Sequence, residues 1–427
     1  MRGGLDIRPW ARNCLAVRKR SEFDLVVDVA IVGGGMAGMT LACALAQAGV
    51  SVVVVDREAP ERALSAGFDG RVSAIALGSA QMLRGLGLWP HLDAAAQPIL
   101  DIRITDGASP FILHYDHTEV GVGPLGYIME NRAIRAALFA ATENLPGLTV
   151  LAPCSVAAVD TEPGGSSARV VLADGRTVGA RLAVAADGRT SPVRTAAGIE
   201  SIAWAYPQVG IVCTVHHSLP HNGVAHERFL PAGPFAMLPM TGNRCSLVWT
   251  ERRTLAEGLM ALDDAAFLDE LSWRFGDHLG AIEVIGPRWC YPLSVTLAKS
   301  YVAPRLALVG DAAHTIHPIA GQGFNLGLRD IAALAEAVVD ARRLGLDIGT
   351  DSVLRRYERW RRFDSIVMLG VTDGLNRLFS NDIPPIKLAR DLGLAMVDRV
   401  PVMKRAFMRH AMGLAGEPPR LIRGEAL

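Results

Sequence analysis

The stretch from Val29 to Asp56 reads VAIVGGGMAGMTLACALAQAGVSVVVVD, with no charged residue between Asp28 and Asp56. Its 27 uncharged residues exceed the roughly 20 apolar residues that a helix needs to cross a bilayer. Three consecutive glycines argue against such a helix, because each costs about 1 kcal/mol relative to alanine inside a helix. At a turn between a strand and a helix, the same glycines supply necessary backbone freedom. We therefore predict a strand, a glycine turn, a helix and a second strand.

The glycine spacing in this stretch matches a dinucleotide-binding fingerprint. Gly33, Gly35 and Gly38 form the pattern G-x-G-x-x-G after the first strand, and Asp56 ends the second strand. Gly33 is expected to allow the tight turn, Gly35 to let a pyrophosphate approach the backbone, and Gly38 to let helix and strand pack closely. The helix amino terminus would face the phosphates, and Asp56 would bind a ribose hydroxyl. The alternative is an ordinary buried strand–helix–strand unit.

Length and composition describe a large globular protein without an overall charge bias. The chain has 427 residues, half of them hydrophobic, with 43 basic and 43 acidic side chains. No global field therefore favours nucleic acid or another charged partner. The 6 cysteines are scattered without a C-x-x-C pair, which favours reduced thiols in a cytosolic protein over a zinc site or a disulfide framework.

Hydrophobic patterning and turn signals divide the chain into several regions. The first 27 residues are rich in arginine but have no apolar core of a secretory signal, so we predict a disordered extension rather than a targeting peptide. A helix is predicted from Ala74 to Gly85, and a buried strand from Leu306 to Val309 precedes a glycine-rich loop and a long helix. The predicted division is an extension (1–27), a discontinuous nucleotide-binding domain (28–100, 126–200 and 288–345), an antiparallel-sheet substrate domain (101–125 and 201–287) and a C-terminal helical region (346–427).

A second, longer signature occupies Gly310 to Asp330, which reads GDAAHTIHPIAGQGFNLGLRD. It resembles the class A flavoprotein aromatic hydroxylases, which share the p-hydroxybenzoate hydroxylase fold, and within them the ubiquinone-biosynthesis hydroxylases. The family pattern H-P-x-x-G-Q-G-x-N-x-G-x-x-D is complete from His317 to Asp330. Other family-like pieces include DGRVSAIALG (69–78) and PHNGVAHERFLPAGPFAMLPM (220–240). The resemblance implies an α/β fold with a Rossmann-like FAD-binding domain and an antiparallel-sheet α+β insert that holds the substrate.

The resemblance also implies an FAD site built from separate segments. Asp311 would bind flavin-side hydroxyl groups, and the amides opening the long helix would face the flavin ring. Taken alone, the arginines of the site would be surface residues and Asp187–Gly188 a simple turn. His314 and His317 form an H-x-x-H pair without a third ligand, so we predict no metal site. The cofactor-binding residues expected from the fingerprint and the resemblance together are Gly33, Gly35, Gly38, Asp56, Arg57, Arg71, Arg132, Asp187, Gly188, Asp311, Pro318, Gly321, Gln322, Gly323 and Asn325.

For function, the resemblance implies an FAD-dependent monooxygenase that uses NAD(P)H and O2. Its substrate would be a polyprenylated phenol of ubiquinone biosynthesis, hydroxylated on the ring through a flavin C4a-hydroperoxide. Because no second G-x-G-x-x-G follows a strand, NAD(P)H would dock transiently on the FAD-binding lobe. No catalytic side chain is predicted, since the cofactor carries the chemistry. Two alternatives stay open: a hydroxylase of a small soluble aromatic, and a non-catalytic flavin-binding subunit of a biosynthetic complex.

The C-terminal segment from Arg399 to Gly416 reads RVPVMKRAFMRHAMGLAG and contains no acidic residue. Arg399, Lys404, Arg405 and Arg409 alternate there with Met, Phe and Leu. A basic amphipathic helix of this kind can lie on an anionic membrane leaflet, and the alternative is a terminal helix packed on the domain. The expected location is therefore cytoplasmic, either free or peripheral on the inner face of the membrane. Contacts with other quinone-biosynthesis enzymes and an oligomeric state stay open.

Overall fold

The computed structural model describes residues 23–65, 70–107, 109, 111–121, 123–381, 387, 390, 393 and 396–427. Residues 1–22 of the predicted extension lie outside this range. The predicted end of the extension at residue 27 is wrong, because the first strand already begins at Leu25. The residue just before this strand, Asp24, holds the strand in place, because its carboxylate accepts a hydrogen bond from the amide of Thr177 at 2.7 Å.

Strands and helices alternate along much of the described chain. The bounds of the strands are β1 (Leu25–Val32), β2 (Val52–Val55), β3 (Val72–Ala76), β4 (Gln97–Ile99), β5 (Asp101–Asp106), β6 (Ile112–Asp116), β7 (Gly126–Glu130), β8 (Leu148–Leu151), β9 (Val156–Asp160), β10 (Ala168–Leu172), β11 (Thr177–Ala185), β12 (Ser201–His217), β13 (Val224–Leu230), β14 (Gly233–Met240), β15 (Arg244–Arg252), β16 (Ile282–Ala298), β17 (Val302–Ala303), β18 (Leu306–Leu308) and β19 (His314–Thr315).

The helices cover the sheets and form the C-terminal region. Their bounds are α1 (Met36–Gln47), α2 (Pro60–Ser65), α3 (Leu77–Gly85), α4 (Trp89–Leu92), α5 (Asn131–Thr142), α6 (Pro192–Ala196), α7 (Arg253–Ala261), α8 (Asp264–Phe275), α9 (Gln322–Arg343), α10 (Asp351–Phe379) and α11 (Pro401–Ala411). Within the described residues, none of these helices combines the length and the hydropathy required to cross a membrane.

The first sheet has the order β17-β18-β11-β1-β2-β8 and contains the uncharged stretch. Strand β1 runs parallel to both β2 and β11, and Val29 to Ile31 and Val52 to Val54 are fully buried. Parallel strands covered on both faces need such continuous apolar runs. The predicted strand, turn, helix and strand are therefore confirmed as β1, α1 and β2. The strands of this sheet come from all three chain segments of the predicted nucleotide-binding domain.

The second sheet has the order β19-β16-β12-β15-β14-β13-β5-β6. Its strands from β12 to β15 pair antiparallel, as predicted, whereas β13 and β5 pair in parallel. One face packs on α8 through Trp249, Phe267 and Leu271, which leaves the other face for a ligand. The predicted boundary at residue 287 is wrong, because β16 continues pairing with β12 up to Ala298.

A small third sheet has the order β3-β7-β4. It shows that the predicted start of the helix at Ala74 is wrong. Ala74 to Ala76 were expected to be helical, but they belong to β3, where Ala74 pairs with Ile128 of β7. The helix starts only at Leu77. Alanine-rich sequence favours a helix locally, and pairing with a distant strand overrides that preference here.

Candidate functional site

The glycine turn between β1 and α1 leaves the amino terminus of the helix open. A Cβ on Gly33, whose φ is +105°, would lie 2.4 Å from the Ala186 carbonyl oxygen, and a Cβ on Gly38 would lie 1.8 Å from the Gly33 carbonyl oxygen. No side chain fits at either position. A Cβ on Gly35 would meet no atom within 4 Å, and no side chain caps the helix. The free amides of this first turn therefore face open space, as an anion site requires.

Asp56 closes the turn from the side of β2. Its carboxylate accepts hydrogen bonds from the amides of Gly34 and of Glu58, the latter at 2.7 Å. A small cavity of about 80 Å³ lies beside it and is lined also by Arg135. The neighbouring Arg57 is exposed and lines neither this cavity nor the larger one described next.

A larger cavity of about 1070 Å³ lies between the nucleotide turn and the free face of the second sheet. Gly35 lines both cavities. A ligand that crosses the amino terminus of α1 can therefore place one end beside Asp56 and the other in the large cavity. A dinucleotide has two such ends joined by a pyrophosphate.

Asp187 and Gly188 lie where β11 ends, beside this crossing point. The Oδ2 atom of Asp187 accepts a hydrogen bond from the amide of Val193 at 3.1 Å. Its Oδ1 atom is buried and has no hydrogen-bond partner among the described residues. An unsatisfied buried carboxylate oxygen is costly, but Asp187 itself lines neither cavity. Gly188, with a φ of +87°, lines the large cavity.

Asp311 follows β18 in a short turn and lines the same cavity. Its side chain is exposed to the cavity, yet the surrounding protein desolvates the carboxyl and raises its pKa. A carboxyl in this position can accept hydrogen bonds from ligand hydroxyl groups.

A buried ionic network holds the loop that carries Asp311. The Asp330 carboxylate accepts hydrogen bonds from the Gly310 amide at 3.1 Å and from Arg361 at 2.9 Å, and it lies 2.5 Å from Nε2 of His314. Burial alone would raise the pKa of Asp330, but His314 and Arg361 outweigh it and hold the pKa below its usual value. The last residue of the signature is therefore a structural anchor.

The start of α9 forms the far end of the site. Pro318, Gly321, Gln322 and Gly323 all line the large cavity, and Gly321 precedes the helix with a φ of +60° and no side-chain cap. A Cβ on Gly321 would lie 2.7 Å from the Cβ of Ala74, so only glycine fits there. The open amides and positive end of the long helix face the cavity.

The structure does not bring every expected residue to the cavity. Arg71 lines it, whereas Arg132 pairs with Glu130 and lines neither cavity. The Asn325 amide, although at the cavity edge, is already bonded to β3: Oδ1 accepts from the Ala76 amide and Nδ2 donates to the Ala74 carbonyl, both at 2.8 Å. Asn325 therefore fixes β3 against α9.

The two histidines of the H-x-x-H pair have separate structural contacts. His314 contacts Asp330, as described above, and the ring of His317 packs edge-on against Tyr206 with centroids 5.1 Å apart. Burial lowers the pKa of His317 to about 4, so the imidazole is neutral at physiological pH.

An acidic residue of the cavity wall, Glu227, was not predicted from the sequence. Glu227 of β13 lines the large cavity together with Ala225 and Phe229, and burial raises the pKa of its carboxyl to about 7. The signal was present in VAHERFL, because positions two apart in a strand share a face. That alternation places one acid in an otherwise apolar row.

The chain is similar to known proteins over most of its length. Residues 26–362 match the FAD binding domain family. Ubiquinone hydroxylase UbiL of Rhodospirillum rubrum is 56% identical over 407 residues, which cover 95% of this chain and 94% of that protein. The 3-demethoxyubiquinol 3-hydroxylase of Escherichia coli is 36% identical over 389 residues, covering 91% of this chain and 98% of that protein.

A solved structure gives the same fold. Crystalline p-nitrophenol 4-monooxygenase PnpA from Pseudomonas putida DLL-E4 superposes with a TM-score of 0.76 at 19% identity. The alignment covers 92% of this chain and 99% of that one. The two proteins therefore share the overall fold.

Proposed function

The chain belongs to the FAD binding domain family and, within it, to the FAD-dependent hydroxylases of ubiquinone biosynthesis, and we propose that its substrate is a polyprenylated phenol. The observation that carries the proposal is the large apolar cavity that joins the nucleotide turn at Gly35. NAD(P)H and O2 are the co-substrates of flavin monooxygenases of this kind.

The residues around the two cavities fit FAD. We propose that Asp56 and the small cavity hold the adenosine end, that the amides at the start of α1 bind the pyrophosphate, and that the flavin ring occupies the large cavity. The carboxyl of Asp311, which lines the large cavity, is suited to flavin-side hydroxyl groups. Bound FAD supplies the redox chemistry, which carries electrons from NAD(P)H to O2 and one oxygen atom to the ring.

The protein's own contribution is electrostatic and steric. The amides of Gln322 and Gly323 and the positive end of α9 would stabilise negative charge on a bound flavin ring. Packed apolar side chains keep water away from the reacting groups. One such cluster contains Leu113, Phe229, Ile319 and Phe379.

The mouth of the cavity supports a prenylated substrate. Val371 and Leu378 of α10 and Phe407 of α11 line the cavity and are also exposed at the surface. An isoprenoid tail leaving the cavity along these side chains would stay in contact with apolar surface. A small soluble aromatic has no need of such an exit.

We expect turnover to depend on the tail. Each buried methylene contributes about 0.8 kcal/mol, so two isoprene units should raise kcat/KM at least ~100-fold over the tail-less phenol. Hydroxylated product from purified, FAD-loaded enzyme with phenols of increasing tail length measures this directly. Equal turnover of the tail-less phenol would favour the small-aromatic alternative, and no oxygen-coupled turnover of any phenol would favour the non-catalytic subunit.

The predicted basic membrane face needs one correction. Lys404 is buried, and its ammonium pairs with Glu119 at 2.7 Å and Asp398 at 3.2 Å. The side chain anchors α11 to the protein and is not available to lipid headgroups. The interpretation as a purely surface-bound helix is therefore wrong at this position, because Glu119 is distant in sequence and Asp398 lies just before the segment from Arg399 to Gly416.

The exposed side chains of α11 support peripheral membrane contact, which is part of the proposed function. Arg405 and Arg409 are exposed, next to Val402 and Phe407 with exposures of 72% and 50%. Apolar and basic side chains together suit the surface of an anionic leaflet. Because Phe407 also lines the cavity, this face would present the cavity mouth to the membrane.

Reversing the two exposed arginines tests the contact. Because each basic residue near an anionic surface contributes about 1 kcal/mol, Arg405→Glu with Arg409→Glu should weaken binding to phosphatidylserine-containing vesicles at least ~10-fold. Co-sedimentation measures the bound fraction, and Arg62→Glu with Arg176→Glu, on other elements, is the matched control. Unchanged binding of the α11 variant would contradict membrane contact through this face.

A further inference from the structure

Strand β13 brings a single carboxyl into an apolar row of the cavity wall. Sheet pairing aligns Glu227 with Ile104 of β5 on one side and with Ala236 of β14 on the other. The row continues to Leu113 of β6 and to Val248 of β15. All five residues line the large cavity, so Glu227 is the ionisable member of this row.

The carboxyl of Glu227 has no hydrogen bond or ion pair with any residue in the described part of the chain. Its neighbours along β13 on the same face are Ala225 and Phe229, which are apolar. Arg390, which also lines the cavity, pairs with Asp106 at 2.9 Å. A desolvated carboxyl without a partner is unfavourable, and a ligand donor would satisfy it.

The position of this row relates it to the flavin side of the cavity. Leu113, two strands from Glu227 in the same row, and Phe229, two positions along β13, belong to one hydrophobic cluster with Ile319. Ile319 directly follows Pro318, which lines the cavity in the loop before α9. The wall that carries Glu227 therefore meets the loop beside which the flavin ring is proposed to lie.

We propose that Glu227 accepts a hydrogen bond from the ring hydroxyl of the phenolic substrate and so determines which ring carbon faces the flavin. This inference rests on the proposed function. Apolar contacts are non-directional and cannot fix the rotation of a ring in its own plane, whereas a hydrogen bond has a preferred direction. Glu227 would therefore contact the substrate directly and orient its ring.

The pH dependence of stability provides an internal check on the environment of Glu227. Its pKa is raised by burial from 4.5 to about 7, so the folded protein binds a proton that the unfolded chain has lost between these values. The stability that this proton contributes is lost as the pH rises towards 7. Above pH 7, Glu227→Gln and Glu227→Leu should therefore melt at the wild-type temperature or higher, with FAD absent.

The decisive experiment compares two ligands and two variants. A phenol with a short prenyl tail and its methyl ether differ only in that a methyl group replaces the hydroxyl hydrogen, so the ether cannot donate a hydrogen bond. Wild type should bind the phenol about tenfold more tightly than the ether, as expected for one hydrogen bond to a buried carboxyl. Glu227→Leu should abolish this preference, whereas Glu227→Gln, whose amide oxygen can accept the same bond, should retain it within about threefold. Calorimetric titration measures both dissociation constants without turnover.

Turnover supplies an independent readout. Glu227→Leu is expected to hydroxylate more than one ring position and to release more hydrogen peroxide per NAD(P)H than wild type, while Glu227→Gln keeps the single product. Ile104→Ala, which enlarges the same wall but leaves the carboxyl, is the matched control and should keep the phenol preference.

Retention of both the phenol preference and the single product by Glu227→Leu would overturn the proposal, as would a Glu227→Gln enzyme that behaves like the Leu variant. If wild type itself neither binds nor hydroxylates any prenylated phenol, the proposed function fails instead.

Discussion

Gly35→Asp is expected to weaken FAD binding strongly while leaving the chain folded. Gly35 has an ordinary φ of −66°, and a Cβ there meets no atom within 4 Å. Aspartate is among the preferred residues at a helix N-cap, and its charge favours the helix amino terminus by about 0.3–1 kcal/mol. The apoprotein should therefore be as stable as wild type or more stable.

The same carboxylate would occupy the place and the amides proposed for the pyrophosphate. Two unit charges 4 Å apart repel by about 4 kcal/mol at an effective dielectric constant of 20. Allowing for partial screening, we expect FAD to bind at least ~100-fold more weakly. Titration of the apoprotein with FAD, followed by flavin fluorescence, measures the change.

Gly35→Asn is the matched control, because it adds nearly the same volume without the charge. It should lose markedly less affinity than Gly35→Asp. Gly38→Ala should instead destabilise the fold itself, since its Cβ would lie 1.8 Å from the Gly33 carbonyl oxygen. Wild-type FAD affinity of the Asp variant would show that the dinucleotide does not cross the amino terminus of α1.

Asp330→Ala is expected to lower the free energy of unfolding by about 3–5 kcal/mol, the usual cost of removing one partner from a buried ion pair. Arg361 and Asp330 are both almost completely inaccessible, so the guanidinium would lose a buried partner. The Gly310 amide and His314 would lose their acceptor as well. Equilibrium unfolding in urea measures the loss.

Two further measurements identify the cause. Asp330→Leu combined with Arg361→Leu removes both charges and should be less destabilised than Asp330→Ala, although Asp364 also loses its bond to Arg361. Because the pKa of Asp330 is lowered in the folded protein, its contribution is present at neutral pH and is lost as the pH falls below about 4. A loss under about 1 kcal/mol at pH 7 would contradict the role of the network.

The nucleotide-binding unit could be predicted from sequence because its information is local. Strand, turn and helix in Val29 to Asp56 follow from β-branched runs and glycine positions within one short segment. The long helix after Pro318 was predicted for the same reason, and its periodic residues Leu328, Ile331 and Leu334 are fully buried. No distant partner is needed to specify these elements.

Other parts of the fold and of the site depend on contacts between segments that are distant in the sequence. Ala74 to Ala76 form a strand because β7 pairs with them, and Lys404 is buried because Glu119 reaches it. Glu227 becomes a cavity residue only when β13 pairs with β5, more than a hundred positions earlier in the chain. Spacing within one segment contains no information about such pairings.

The central claim is that this chain inserts one atom of O2 into the ring of a prenylated phenol. The most direct test is to incubate the FAD-loaded enzyme with NAD(P)H, a prenylated phenol and 18O2, and to analyse the product by mass spectrometry. We predict a product that carries one 18O atom in a new ring hydroxyl, formed with about one NAD(P)H consumed per product. A product without the label, or NAD(P)H oxidation that yields only labelled hydrogen peroxide, would contradict the account.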